Sequence, residues 1–200
     1  MFASKYRRLI AGAFLAITLG LNLHPYTIDE PPRHVDKTYL GNYPAVYIPK
    51  RMRQENWLGP KREGSCVHAA MTNLFIAQGR FKLANWWRTH NGDGEWPSDL
   101  APKLDAAGIK YAYTSMKGNV KFLEWAVKTH RGCGVTVRGA SHMVVLVHLD
   151  KKWAGLLDSN AVDEIIWVPR KTFIAEWLNS ESWAITPVYT PQPPMPTVIR

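Results

Sequence analysis

Three side chains in this sequence have the chemistry of a nucleophile, a base and an orienting acid: Cys66, His142 and Asp158. Cys66 opens the apolar helical run CVHAAMTNLFIAQ. At a helix start the free backbone N–H groups and the positive end of the helix dipole stabilise a thiolate. A cysteine in such a run is otherwise a small apolar core residue, so its partners decide between the two roles. His142 opens the most apolar strand-like stretch of the chain, SHMVVLVHL, at the end where a side chain leaves the core and can meet a helix terminus, as a base must. If residues 143–149 and 153–158 pair as a hairpin around Asp150 and Lys151, His142 faces Asp158 or Asn160. Either side chain can hold the imidazole in the tautomer that a Cys-His pair requires. The competing reading, a strand-end histidine beside an ordinary Asp-Ser-Asn turn, has to hold at all three places together.

The elements that would position these residues are first helical and then strand-rich. Ser65 stands where a cap for the Cys66 helix is expected, and Gly79 ends that helix. Two more helical segments follow, FKLANWWRTH and SDLAPKLDAAG, the second with Ser98 as its expected cap, Pro102 near its first turn and Gly108 at its end. KYAYT then reads as a strand and NVKFLEWAVKTHRG as a fourth helix, with Val120, Leu123 and Val127 on one face. Residues 134–138, 143–149, 153–158 and 165–168 are β-branched or apolar runs between short polar turns, the pattern of an antiparallel sheet. A last helix over 170–179 and a strand over 183–189 complete an α+β order.

Ser65-Cys66 opening a helix through Ala69 and Ala70, Ser141-His142 before an apolar strand, and Asp158-Ser159 after a hairpin together resemble the papain superfamily of cysteine peptidases. Within it the order and spacing are similar to those of the compact peptidases that process bacteriocin precursors after a double-glycine leader. The resemblance spans about residues 55–189 in architecture and three short stretches in motif. It implies an N-terminal helical lobe carrying Cys66, packed on a C-terminal antiparallel sheet that carries His142 and Asp158, with a cleft for a peptide or protein substrate between them. It also implies a glutamine five or six residues before the cysteine, whose amide helps bind the oxyanion. Pro60 and Lys61 stand there instead, which leaves Gln54, Lys61, Arg62 and the Cys66 backbone N–H as candidate contributors.

Two hundred residues with 46% apolar content suit one core rather than two. The expected division is 1–23 as signal peptide or membrane anchor, 24–54 as an extended proline-rich arm, 55–189 as the thiol hydrolase domain and 190–200 as a proline-rich tail. Residues 9–23, LIAGAFLAITLGLNL, are an uncharged apolar run behind Lys5, Arg7 and Arg8, the pattern of an export signal. As a helix the run reaches about 22 Å, short of the roughly 30 Å hydrocarbon core. Thr18 and Gly20 form its best cleavage pair, and a buried helix of the domain is the alternative. Export or membrane association through this segment is therefore expected. The formal charge of +9 comes from scattered Lys and Arg without a nucleic-acid motif, so no nucleic-acid partner is expected, whereas a protein partner stays open. No cofactor and no metal are expected. Cys66, His68, Cys133, His142 and His148 lack paired ligand spacing, and Gly92 to Glu95 lacks the alternating carboxylates of a calcium loop. Trp86, Trp87 and Trp125 are expected in the core rather than in a cleft. Cys66 and Cys133 are expected to stay unpaired. Three functions fit: peptide-bond hydrolysis through Cys66, His142 and Asp158, acyl transfer or amide hydrolysis on a cell-wall peptide by the same residues, or a catalytically impaired papain-like scaffold serving as a subunit of a larger assembly.

Overall fold

The computed structural model describes residues 44–57, 64–92, 94–115 and 118–189. The apolar segment 9–23, residues 24–43 of the arm, Lys61, Arg62 and the tail 190–200 lie outside these residues. The element order is α1 (Cys66–Ala77), α2 (Phe81–His90), α3 (Pro97–Ala106), β1 (Tyr111–Thr114), α4 (Val120–Lys128), β2 (Cys133–Val137), β3 (His142–Leu149), β4 (Trp153–Leu157), β5 (Ile166–Pro169), α5 (Arg170–Asn179) and β6 (Ala184–Pro187). The strands form one six-stranded sheet in the order β1-β6-β2-β3-β4-β5, and every neighbouring pair is antiparallel. The architecture is α+β.

Both faces of this sheet are covered. Met143, Val145, Val147, Leu157 and Ile185 pack with α1, α2 and α3, whereas Val144, Leu146, Leu156 and Ala184 pack with Phe122 and Leu123 of α4 and Phe173 and Trp177 of α5. That double burial explains the unbroken apolar run of β3, since alternation is expected only where one face meets water. It also explains α1, whose residues from Val67 through Phe75 are all buried, because a helix enclosed by other elements has no polar face. Fully buried side chains such as Leu74 and Phe75 each contribute about 1.5–3 kcal/mol relative to exposure, which anchors the Cys66 helix.

Four local expectations are corrected. The described part of the arm, residues 44–54, is not a separate extension: Val46 and Ile48 are buried in the core, and the Val46 N–H donates to the Val147 carbonyl at 2.9 Å. Its prolines suppress helical periodicity without preventing it from packing as an added layer, and Lys50–Met52 even forms a single 3-10 turn. Ser65 occupies the cap position of α1 but makes no capping bond, because its hydroxyl is engaged with Asn56 and Trp57. Helix α3 starts before Ser98, at Pro97, whose fixed φ suits the first helical position, and Pro102 therefore lies in the second turn. Trp87 is buried as expected, but Trp86 is 42% exposed on the outer side of α2.

Candidate active site

The site forms where the N-terminus of α1 meets the start of β3 and the end of β4. In the β3–β4 hairpin Val145 faces Leu157, so the position after β4 falls opposite Val144, one diagonal step from His142. Asp158 holds that position, and its Oδ1 lies 2.8 Å from His142 Nε2. With Nε2 committed to the carboxylate, Nδ1 is the ring nitrogen left for Cys66, whose thiol and the imidazole shift each other's pKa. Asn160 is not the orienting side chain. It turns away to accept from Asn56, and only its backbone N–H reaches Asp158 Oδ1, at 2.8 Å.

The electrostatics of the three groups are mutually dependent. Burial alone would raise the Cys66 thiol, but the hydrogen bond and charge of His142, with the backbone N–H groups of Met143 and Val67, bring it below its ordinary value. Burial alone would lower His142, but Asp158 and Cys66 together raise it to about 9. Asp158, 2% exposed, is held below the usual carboxylate range because His142, the Asn160 N–H and Arg138 outweigh its desolvation. The arrangement therefore shifts the pair towards a thiolate beside an imidazolium, the reactive form of a cysteine nucleophile.

A cleft of about 340 Å³ opens over Cys66 and His142, walled by Gly64, Glu95, Trp96 and Ser141 among others. Trp96 is 65% exposed and forms an apolar wall. Glu95 is a charged wall held in place by Lys103 at 2.9 Å and by the buried His68 at 2.8 Å, contacts of proximity whose angles fall outside hydrogen-bond geometry. Burial would raise the Glu95 carboxyl, yet His68 and Lys103 keep it low. The turn before His142 is itself constrained: Arg138, Gly139 and Ala140 all have positive φ, and the N–H groups of Arg138 and Gly139 donate to Glu176 Oε1 of α5 and to Oγ of Ser180, which follows that helix. An apolar helix face covers one side of the sheet while Glu176 of the same helix and Ser180 at its end fix the turn that carries the base.

Gln54 does not enter the cleft. Its Nε2 donates to the Met52 carbonyl, and its backbone N–H donates to Asn73 Oδ1 in the middle of α1, well away from the Cys66 end. The other candidates, Lys61 and Arg62, lie outside the described residues. The free N–H of Val67 is the first-turn donor that the unused cap of Ser65 leaves beside the sulfur. Cys133 is a free, fully buried thiol at the start of β2, pushed well up by desolvation, and Cys66 is likewise free. His148 pairs with Asp150 at the opposite end of β3 and His68 with Glu95, and among the described residues no group of three metal-ligating side chains converges. No helix among the described residues is long and apolar enough to cross a membrane. Sequence reasoning missed Asn56, Glu95, Trp96, Arg138 and Glu176. Only Glu95 and Trp96 left a trace, as a turn followed by a helix start.

No protein-family model matches the chain, and no curated protein sequence matches it. Among solved structures the chain is similar to the following two proteins. One is assigned as a C39-like peptidase from Bacillus anthracis, with 19% identity and a TM-score of 0.38 over 49% of this chain and 61% of that one. This chain thus spans less than two thirds of that protein's length. The other is a double-glycine motif protease from an AMS/PCAT transporter, solved in complex with its leader peptide, with 16% identity and a TM-score of 0.45 over 69% of this chain and 96% of that one.

Proposed function

We propose that this protein is a cysteine hydrolase acting on peptide bonds, with Cys66 as nucleophile, His142 as general base and acid, and Asp158 as the group that orients and stabilises the imidazolium. The thiolate attacks the substrate carbonyl, His142 passes its proton to the leaving amine, and a water activated by the then neutral His142 releases the acyl-enzyme. The observation that carries this reading is the pair Cys66 and His142 lining an open cleft, with Asp158 buried behind the imidazole at 2.8 Å, the thiol lowered and the imidazole raised. The motif resemblance agrees with a peptide or protein substrate. Acyl transfer to an amine instead of water would use the same residues.

Thiol labelling tests it. Iodoacetamide at mildly acidic pH should alkylate Cys66 and leave Cys133 unmodified, because an ordinary thiol of pKa about 8.5 is almost wholly protonated there. His142→Ala should remove that acid-side reactivity. Peptide mapping that found the two cysteines equally slow, or Cys66 indifferent to His142→Ala, would favour the second reading, a papain-like scaffold without catalysis. The displacement of Gln54 from the cleft is what speaks for that reading.

We read residues 1–23 as an export signal or membrane anchor, placing the domain outside the cytoplasm. Intact mass and membrane fractionation of the mature protein separate the cases: loss of about the first twenty residues means a signal, and an intact Met1 in the membrane fraction means an anchor. An intact chain in the cytoplasmic fraction would sink both.

A further inference from the structure

We infer that Asn56 is a positioning residue that ties the nucleophile helix to the loop carrying Asp158, so that the geometry of the Cys66–His142 pair depends on a side chain ten positions upstream of the cysteine. This rests on the proposed hydrolase reading and adds to it a residue that the motif resemblance does not supply.

Asn56 touches both halves of the site with opposite ends of one amide. Its Oδ1 accepts the Ser65 N–H at 2.6 Å and lies 2.7 Å from the Ser65 hydroxyl, whose hydrogen is shared with the Trp57 carbonyl. Because a backbone N–H can only donate, this contact fixes which end of the amide is oxygen. The Nδ2 end then points the other way and donates to Asn160 Oδ1 at 3.1 Å. The backbone of the same residue adds a third tie, its N–H donating to the Ser159 carbonyl at 2.8 Å. Asn160 in turn gives its N–H to Asp158 Oδ1, the oxygen that also faces His142 Nε2. The connections run unbroken from Cys66 through Ser65, Asn56, Asn160 and Asp158 to His142, the imidazole that acts on the thiol.

These ties explain two otherwise separate observations. Ser65 sits at the cap position of α1 without capping it, because its hydroxyl is held by Asn56 and Trp57, and the first-turn N–H groups stay available on the sulfur side. Ser65 is 1% exposed, so its N–H has no water to turn to if Asn56 is shortened. The expected response is a rotation of the helix start that loosens the thiol from the imidazole. Asn56 is not among the residues lining the cleft, so it acts through its neighbours and not on substrate.

The test uses the full chain and reads the rate of Cys66 alkylation by iodoacetamide against pH, a quantity that simple loss of stability does not move while the protein stays folded. Asn56→Ala should slow acid-side labelling about tenfold and move the midpoint of its pH dependence up by about one unit, since a buried donor is left unpaired. Asn160→Ala, which removes only the exposed arm of the tie, should slow it about threefold, and Asn160→Asp, which keeps an oxygen for Asn56 Nδ2, should restore the wild-type rate. The double variant Asn56→Ala/Asn160→Ala should be no slower than Asn56→Ala alone, because the two act through one bond. Folded variants that label like wild type, with His142→Ala still inactive, would overturn this inference and leave the hydrolase reading standing. Additive effects of the two substitutions would likewise overturn the shared tie. A wild-type Cys66 with ordinary reactivity would overturn both.

Discussion

Replacing His142 with alanine is expected to slow hydrolysis of a defined synthetic peptide mixture by about a hundredfold to ten thousandfold, the usual contribution of a positioned general base. Cys66→Ala should remove turnover altogether, because among the described residues no other side chain lining the cleft is a comparable nucleophile. The two losses differ in kind. Without His142 the thiol keeps its place at the end of α1 but loses the hydrogen bond and charge that offset its desolvation, so its pKa rises and little thiolate remains at neutral pH. Without Cys66 the imidazole keeps Asp158 and has nothing to deprotonate. Adding His142→Ala to Cys66→Ala should cost nothing further, since residues that act as a unit are not additive. Cys133→Ala is the control. That thiol is fully buried among Val135, Leu146 and the α4 side chains, where it behaves as a small apolar group, and its loss should leave turnover unchanged in protein that stays folded. Product release followed by mass spectrometry decides the matter, and turnover persisting in Cys66→Ala would remove the mechanism.

The helices and strands were legible because this sequence keeps local and global signals in agreement. Phe81–His90 and Arg170–Asn179 are helices at the limits their periodicity indicates, and the turn at Asp150 and Lys151 sets the hairpin that brings residue 158 towards His142. What pattern could not supply was which of two oxygens would meet the imidazole. A register that pairs Val145 with Leu157 would carry Asn160 opposite His142 if the strand continued, but β4 stops at Leu157 and the chain turns. The diagonal reach of Asp158 is a property of that turn, not of any residue type.

The arm was illegible for another reason. Residues 44–57 have neither a helical nor a strand period, yet Val46 and Ile48 are core residues and Asn56 links both halves of the site. Such a segment is defined by what it packs against, and its contacts join residues about a hundred positions apart. The same holds for Glu176. Nothing in RKTFIAEWLN marks the carboxylate that receives the Arg138 N–H, because the need for it arises in a positive-φ turn thirty-eight residues earlier. Polar residues that serve a distant backbone leave no periodic trace.

The pH dependence of kcat/KM carries the second large effect. The reactive pair exists between the lowered pKa of Cys66 and the raised pKa of His142, so activity should follow a bell whose alkaline limb lies near pH 9 and whose acid limb lies below the range of an ordinary thiol. Asp158→Asn should narrow that bell from both sides. The carboxylate is the main group opposing the desolvation of His142, and an amide in its place keeps the shape but not the charge. His142 then loses its proton at lower pH, which draws the alkaline limb down. A less stable imidazolium supports the thiolate less, which draws the acid limb up. At the optimum the rate should fall by between about tenfold and a hundredfold, the worth of one charge-assisted hydrogen bond expressed as a rate. Arg138 does not substitute for the lost partner. Its guanidinium is 3.8 Å from the other carboxylate oxygen, is nearly half exposed, and as a cation would itself disfavour an imidazolium left without its counter-charge. An Asp158→Asn profile with both limbs where the wild type has them would show that Asp158 only shapes the β4 turn, and the pair of Cys66 and His142 would have to sustain its charges alone.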